Sequence, residues 1–171
     1  MKKVSGLFFA LCLFSSCRKD DLSLKEKECD IQKVYTDNAA RVTITEGIWG
    51  TVSSMEGNCM PIVPPGNSSC IHCPVKRTVK IYEYTLLSNA TPSGNSTLFF
   101  DNFNTHLLAQ ADTDENGFFQ INIAPGTYTI AVVENGKLYA NSRDGQGGLN
   151  PVTLTSGKLN ANVVMTYKAA F

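Results

Sequence analysis

From about Arg41 to the C-terminus, short apolar-rich runs alternate with turn-forming residues, and no stretch repeats apolar residues at the spacing of a long amphipathic helix. Val42–Thr45 alternates apolar and polar residues, Ile48–Ser53 does so loosely around Trp49, and Thr78–Thr85 sets Val79, Ile81 and Glu83 on one face against Lys80, Tyr82 and Tyr84 on the other. Further runs are Leu107–Ala111, Phe118–Ile123, Thr127–Val133, Lys137–Asn141, Val152–Leu154 and Ala161–Tyr167. Between them stand Asn116-Gly117, Pro125-Gly126, Asn135-Gly136, Gly145 to Gly148 and Ser156-Gly157. Asn135-Gly136 between two strand patterns predicts a two-residue hairpin, because a type I′ turn requires positive φ at both central residues. An isolated hairpin buries too little apolar surface to hold, so strands at this spacing predict a sandwich or barrel. The 43% hydrophobic content of the 171 residues is sufficient for such a core.

Two segments interrupt the pattern. Glu56–Pro74 contains Pro61, Pro64, Pro65 and Pro74 together with three cysteines, and reads as a long irregular loop. Ser88–Asn104 is rich in Ser, Asn and Thr and reads as a second loop, although Leu98, Phe99, Phe100 and Phe103 require part of it to dock on the body. Long loops on a rigid scaffold are where binding usually resides, so these two, with Met60, Ile62 and Val63 in the first, are the expected ligand regions.

The N-terminus reads as an address. Lys2 and Lys3 precede an apolar run, Val4–Phe14, too short to span a bilayer. Ser15 and Ser16 before Cys17 resemble the lipobox of bacterial lipoproteins, with Phe14 in place of the usual aliphatic residue. The resemblance implies a signal peptide over 1–16 and lipidation at Cys17. Lys19, Asp20 and Asp21 directly behind it resemble the surface-export signal of Bacteroidetes lipoproteins, which implies an outer-membrane protein displayed on the cell surface. Residues 17–40 are expected to be a tether, as a short helix or a flexible stalk, and 41–171 the domain. Fifteen basic and fifteen acidic residues cancel, which argues against a nucleic-acid partner and leaves membrane attachment to lipid.

Gly50-Thr51-Val52, Gly57, Met60-Pro61 and the strand at Val79-Lys80-Ile81 resemble the opening of a carboxypeptidase regulatory-like domain. The stronger likeness is Thr113-Asp114-Glu115-Asn116-Gly117-Phe118-Phe119-Gln120-Ile121 followed by Pro125-Gly126-Thr127-Tyr128-Thr129-Ile130. In that family a Thr-Asp turn ends in glycine, an aromatic strand follows, and Pro-Gly-x-Tyr opens the next strand. The resemblance covers roughly Gly47 to the C-terminus and implies an all-β, prealbumin-like Greek-key sandwich of about seven strands. It marks a fold rather than an activity.

Without Cys12 and Cys17, four cysteines remain: Cys29, Cys59, Cys70 and Cys73. Outside the cytosol they are disulfide candidates, with Cys59 expected to pair with Cys70 or Cys73. The competing reading makes Cys70, His72 and Cys73 a metal or redox site, but no second ligand pair follows at the spacing of a structural zinc site, so no metal or other cofactor is expected. Asp112-x-Asp114-x-Asn116-Gly117 matches half of a calcium loop, yet Ile123 stands where a bidentate glutamate belongs, and a hairpin turn is preferred. No Gly-x-Ser-x-Gly elbow occurs, and the terminal Tyr-Arg-Gly-Ser of hydroxyisourate hydrolases, which share the prealbumin-like fold, is replaced by Lys168-Ala169-Ala170-Phe171 after Tyr167, so no catalytic residues are expected. Trp49, Tyr82, Tyr84 and Tyr139 are candidates for a sugar-stacking platform, against the alternative that they pack inside. The expected function is a non-enzymatic surface module binding carbohydrate or protein. The alternatives are a structural accessory domain of an outer-membrane complex and, more distantly, a metal-handling protein.

Overall fold

A computed structural model of the protein describes residues 29–61 and 69–171. The signal peptide, Cys17, Lys19, Asp20, Asp21 and the stretch 62–68 lie outside the described residues. The chain runs through α1 (Ile31–Ala39), β1 (Gly47–Asn58), β2 (Ile71–Pro74), β3 (Thr78–Glu83), β4 (Ala90–Pro92), β5 (Phe99–Phe103), β6 (Leu107–Asp112), β7 (Phe118–Ile121), β8 (Gly126–Glu134), β9 (Lys137–Tyr139), β10 (Pro151–Leu154), β11 (Lys158–Asn160) and β12 (Val163–Ala170).

The strands form two packed sheets. In the first, β1 is central: β11 and then β12 run parallel along one side, and β7 and β2 run antiparallel along the other. The second has the order β4-β5-β9-β8-β3-β6, with β10 also on β8. The chain crosses between sheets from β2 to β3, from β6 to β7, back to β8 and finally from β10 to β11, which gives the sandwich its Greek-key connectivity. Twelve short strands occupy nine lanes, because β11 shares one with β12, β7 with β2, and β9 with β10, and the β4–β5 hairpin adds the two lanes beyond the expected seven.

Alternation places Ile48, Val52, Phe119, Val163 and Met165 of the first sheet against Val79, Ile81, Ile130, Val132 and Tyr139 of the second. The outer face of the second sheet carries another cluster, with Tyr82, Phe100, Phe103, Ala131, Leu138 and Leu149. This cluster corrects the loop expected at Ser88–Asn104. The segment forms a one-turn helix at Leu87–Asn89 and a hairpin, β4–β5, that extends the second sheet. Phe99 packs against the inner core while Phe100 and Phe103 join the outer cluster, so the aromatic run serves both faces of one strand instead of forming a patch. Glu83, expected beside Val79 and Ile81, ends β3 exposed and meets His106 Nδ1 at 3.1 Å.

The turn before β7 follows from its residues. Asp114 Oδ1 accepts the N–H groups of Asn116 at 2.9 Å and Phe118 at 3.1 Å. Gly117 has φ +68, and a Cβ there would lie 2.2 Å from the Val52 carbonyl oxygen. The buried Thr113 hydroxyl accepts the Arg77 N–H at 2.8 Å and donates to the Val75 carbonyl at 3.2 Å, fixing the turn to the strand entering β3.

Residues 29–40 are part of the folded body rather than of the tether. Asp30 caps α1 by accepting the Lys33 N–H at 2.9 Å, and the helix packs on the outer face of the first sheet. Asn38, 1% exposed, donates to Thr51 Oγ1 at 2.9 Å and to the Asn116 carbonyl at 3.0 Å, while Arg41 donates to Asn38 Oδ1 at 3.1 Å and pairs with Asp114 at 2.5 Å. The loop expected at Glu56–Pro74 is also shorter than its composition suggests: Glu56–Asn58 completes β1, and Ile71–Pro74 pairs with it as β2. Two disulfides tie this corner together. Cys59 joins Cys70, one of the two expected partners, and Cys29 joins Cys73.

Candidate functional site

Two concavities lie away from both segments expected to bind. One is a cleft of about 460 Å3 on the open side of the sandwich, between β10 and the β11–β12 lane. Gly50 fixes its inner corner. A Cβ on Gly50 would stand 2.3 Å from the Ala161 carbonyl oxygen, so only glycine lets β1 approach the break between β11 and β12 this closely. There the Ala161 N–H bonds the Trp49 carbonyl at 2.8 Å and Asn162 Oδ1 accepts the Thr51 N–H at 2.8 Å.

The floor of the cleft is apolar, with Ile130, Val152, Leu159 and Val163, and its walls carry Asn141, Ser142, Asn150, Thr153, Asn160 and Asn162. No ionisable side chain lines it among the described residues. The amide orientations follow from their donors. Asn150, 8% exposed and at φ +37, accepts both the N–H of Ser142 at 2.7 Å and its hydroxyl at 2.8 Å through Oδ1, which leaves Nδ2 without a hydrogen bond to the described residues at the cleft wall. Asn162 Oδ1 is likewise occupied, while Asn141 Nδ2 donates to the Val164 carbonyl at 3.1 Å and leaves Oδ1 open. The walls thus offer uncommitted donors and acceptors over an apolar floor, the arrangement expected of a small-ligand site.

A second recess, of about 570 Å3, opens on the outer face of the second sheet and shares Thr153 with the first. Tyr84, Thr127, Asp144 and Gln146 line it. The Tyr84 hydroxyl donates to Asp144 Oδ2 at 2.8 Å, and Asp144 Oδ1 accepts the N–H groups of Gln146 at 2.9 Å and Gly148 at 2.8 Å. The Tyr84 hydroxyl and these backbone bonds hold the Asp144 carboxyl below its ordinary range, so it is ionised at neutral pH. Gly148 makes room for the ring: a Cβ there would be 2.4 Å from Tyr84.

Of the four expected platform aromatics, only Tyr84 reaches a recess. Tyr82 and Tyr139 are buried in the two clusters, and Trp49 is half-buried on the first sheet. The sulfurs of Cys70 and Cys73 are spent in disulfides, so the thiolates required by the metal reading are absent there. His72 Nε2 lies 2.9 Å from Ser53 Oγ beneath α1, and burial lowers its pKa, which keeps the ring neutral at neutral pH. Asp112 accepts the Thr78 hydroxyl at 2.6 Å and Asp114 is committed to Arg41 and its own turn, so these carboxylates act as turn and strand anchors. Among the described residues no group of three or more His, Cys, Asp and Glu side chains could hold a metal ion, and no helix is long and apolar enough to cross a membrane.

Compared with known protein families, curated proteins and solved structures, the chain finds no match.

Proposed function

We propose that this protein is a non-enzymatic, surface-anchored lipoprotein whose β-sandwich captures a ligand on its open side. Cys17 would carry the lipid, and Lys19, Asp20 and Asp21 would direct the chain to the outer leaflet of the outer membrane. The sandwich resembles the carboxypeptidase regulatory-like domain, a resemblance supported by the turn that Thr113, Asp114 and Gly117 build and by the burial of Phe119, Ile121, Tyr128 and Ile130.

The observation that carries the binding role is the cleft between β10 and β12, with free amide groups over an apolar floor. Interior packing takes up the aromatic run at Phe99, Phe100 and Phe103, which the two clusters divide between them. Thr153 is exposed and lines both recesses, so Thr153→Arg should fill the junction without disturbing the core. In an adhesion assay of intact cells on immobilised glycans and surface proteins, Thr153→Arg is expected to lower capture at least about tenfold. Cys17→Ser should release a chain that still captures ligand into the culture fluid. Equal adhesion by the wild type and Thr153→Arg contradicts the binding role of the cleft and favours a structural accessory of an envelope complex.

A further inference from the structure

Building on the binding role just assigned to the cleft, we infer that its ligand is an uncharged oligosaccharide, lying across the edge of β10 with one unit among the asparagines of the cleft and another against Tyr84. Three observations separate this ligand from the competing classes.

The first is charge. A phosphate, sulfate, sialic acid or acidic peptide needs a cation or a cluster of committed N–H donors, and a basic ligand needs a carboxylate. The cleft lining has neither acid nor base. The neighbouring recess has one ionisable pair of consequence, Tyr84 and Asp144, and its fixed charge is negative, which disfavours an acidic ligand there.

The second is the state of the strand edges. A peptide added as an extra strand needs a row of free backbone N–H and C=O groups. On β10 the Asn150 carbonyl accepts from the Ile130 N–H, so by alternation Pro151 and Thr153 turn their backbone groups away from β8. Pro151 has no N–H to offer, and a proline at this place blunts an edge. Across the cleft, the β12 edge is already closed by side chains: Thr166 N–H donates to the Tyr139 hydroxyl at 2.9 Å, and the Val164 carbonyl accepts from Asn141 Nδ2. The β12 wall therefore presents side-chain amides in place of a backbone ladder, and on β10 only the Pro151 carbonyl and the Thr153 N–H and carbonyl face outward, too short a row for an added strand.

The third is the pairing of functional groups. Asn150 and Asn162 have uncommitted amide donors and Asn141 an uncommitted acceptor, which suits hydroxyls that donate and accept at once. Asn160 is exposed at the rim, tied only by a 3.4 Å contact from its Nδ2 to Asn162 Oδ1. Tyr84, seated on Gly148 and held through its hydroxyl by Asp144, offers a fixed ring against which an apolar sugar face stacks.

The test uses the detergent-solubilised full chain on an array of neutral glucan, mannan and galactan oligosaccharides beside sialylated, sulfated and uronate glycans and extended peptides. Neutral oligosaccharides are expected to bind. Tyr84→Ala and Asn160→Ala should each weaken that binding about tenfold, with the thermal midpoint of Asn160→Ala unchanged. Tyr84→Phe should retain most of it, because the ring remains. Binding of acidic glycans or peptides that Thr153→Arg abolishes overturns the ligand class while leaving the cleft as the binding site. Binding of neutral sugars that none of these variants affects overturns the inference and the role of the cleft together.

Discussion

Replacing Cys29 and Cys73 together by serine should cost about 4 kcal/mol of stability, the largest loss expected for any pair of surface-corner residues. The bridge closes a chain separation of 44 residues, and limiting the unfolded chain over that distance accounts for most of this figure. The Cys59–Cys70 bridge lies inside the loop and removes 11 residues from it, which lowers the value by only about 0.3 kcal/mol because loop entropy grows logarithmically. Removing Cys59–Cys70 alone should cost less, about 3 kcal/mol. The larger bridge also ties the start of α1 to β2, the strand beside central β1. Its loss should therefore speed amide exchange in α1 more than in β3 or β8. Guanidinium unfolding of the wild type and the double variant measures the difference, and a change under about 1 kcal/mol contradicts the assigned role.

Glu134→Ala is expected to cost about 2–3 kcal/mol, since it removes the buried partner of an ion pair whose Arg77 side is still partly exposed. Glu134 is 4% exposed at the end of β8, where its carboxylate accepts from Arg77 Nε and from the Tyr167 hydroxyl at 2.6 Å. Alanine would leave the half-buried Arg77 guanidinium with water and the Lys76 carbonyl as partners, and Tyr167 without its acceptor. Burial by itself raises the Glu134 pKa, but the bonds from Arg77 and Tyr167 outweigh it and hold the group below its ordinary value. With the folded-state pKa depressed, the stabilisation is present above the ordinary glutamate range and is lost as pH falls through the folded value. The wild-type unfolding midpoint should thus drop on acidification below about pH 4, and that slope should be shallower in Glu134→Gln. A variant as stable as the wild type, with the same acid slope, contradicts the pairing.

Much of the architecture is legible in local sequence. Asn135 and Gly136 adopt φ of 50° and 75° and join β8 to β9 as a two-residue hairpin requires. Phe119 with Ile121, and Tyr128 with Ile130, are buried as their two-residue spacing predicts. The misread segments are those where composition and tertiary role diverge. Ser93–Thr97 made the surrounding chain resemble a loop, yet Phe99 and Phe100 face opposite cores and force a strand. Asn38 is a polar residue in a charged segment, and its bonds to Thr51 and Asn116, the latter 78 positions away, dock α1 together with the Cys29–Cys73 bridge. The cleft was hidden for a similar reason. Asn141, Asn150, Asn160 and Asn162 follow no strand period, and they converge only because β10 and the β11–β12 break come to face each other. Gly50 is its nearest sequence signal and Gly148 that of the neighbouring recess, since each marks a close approach.

Nitrogen-15 NMR of the full chain, titrated with the neutral oligosaccharides bound on the array, reports whether ligand enters between β10 and β12. The side-chain amides of Asn141, Asn150, Asn160 and Asn162 and the backbone N–H of Thr153 are expected to shift together. Shifts confined to Glu56–Met60 or Ser93–Thr97, with those five signals unmoved, would contradict binding there.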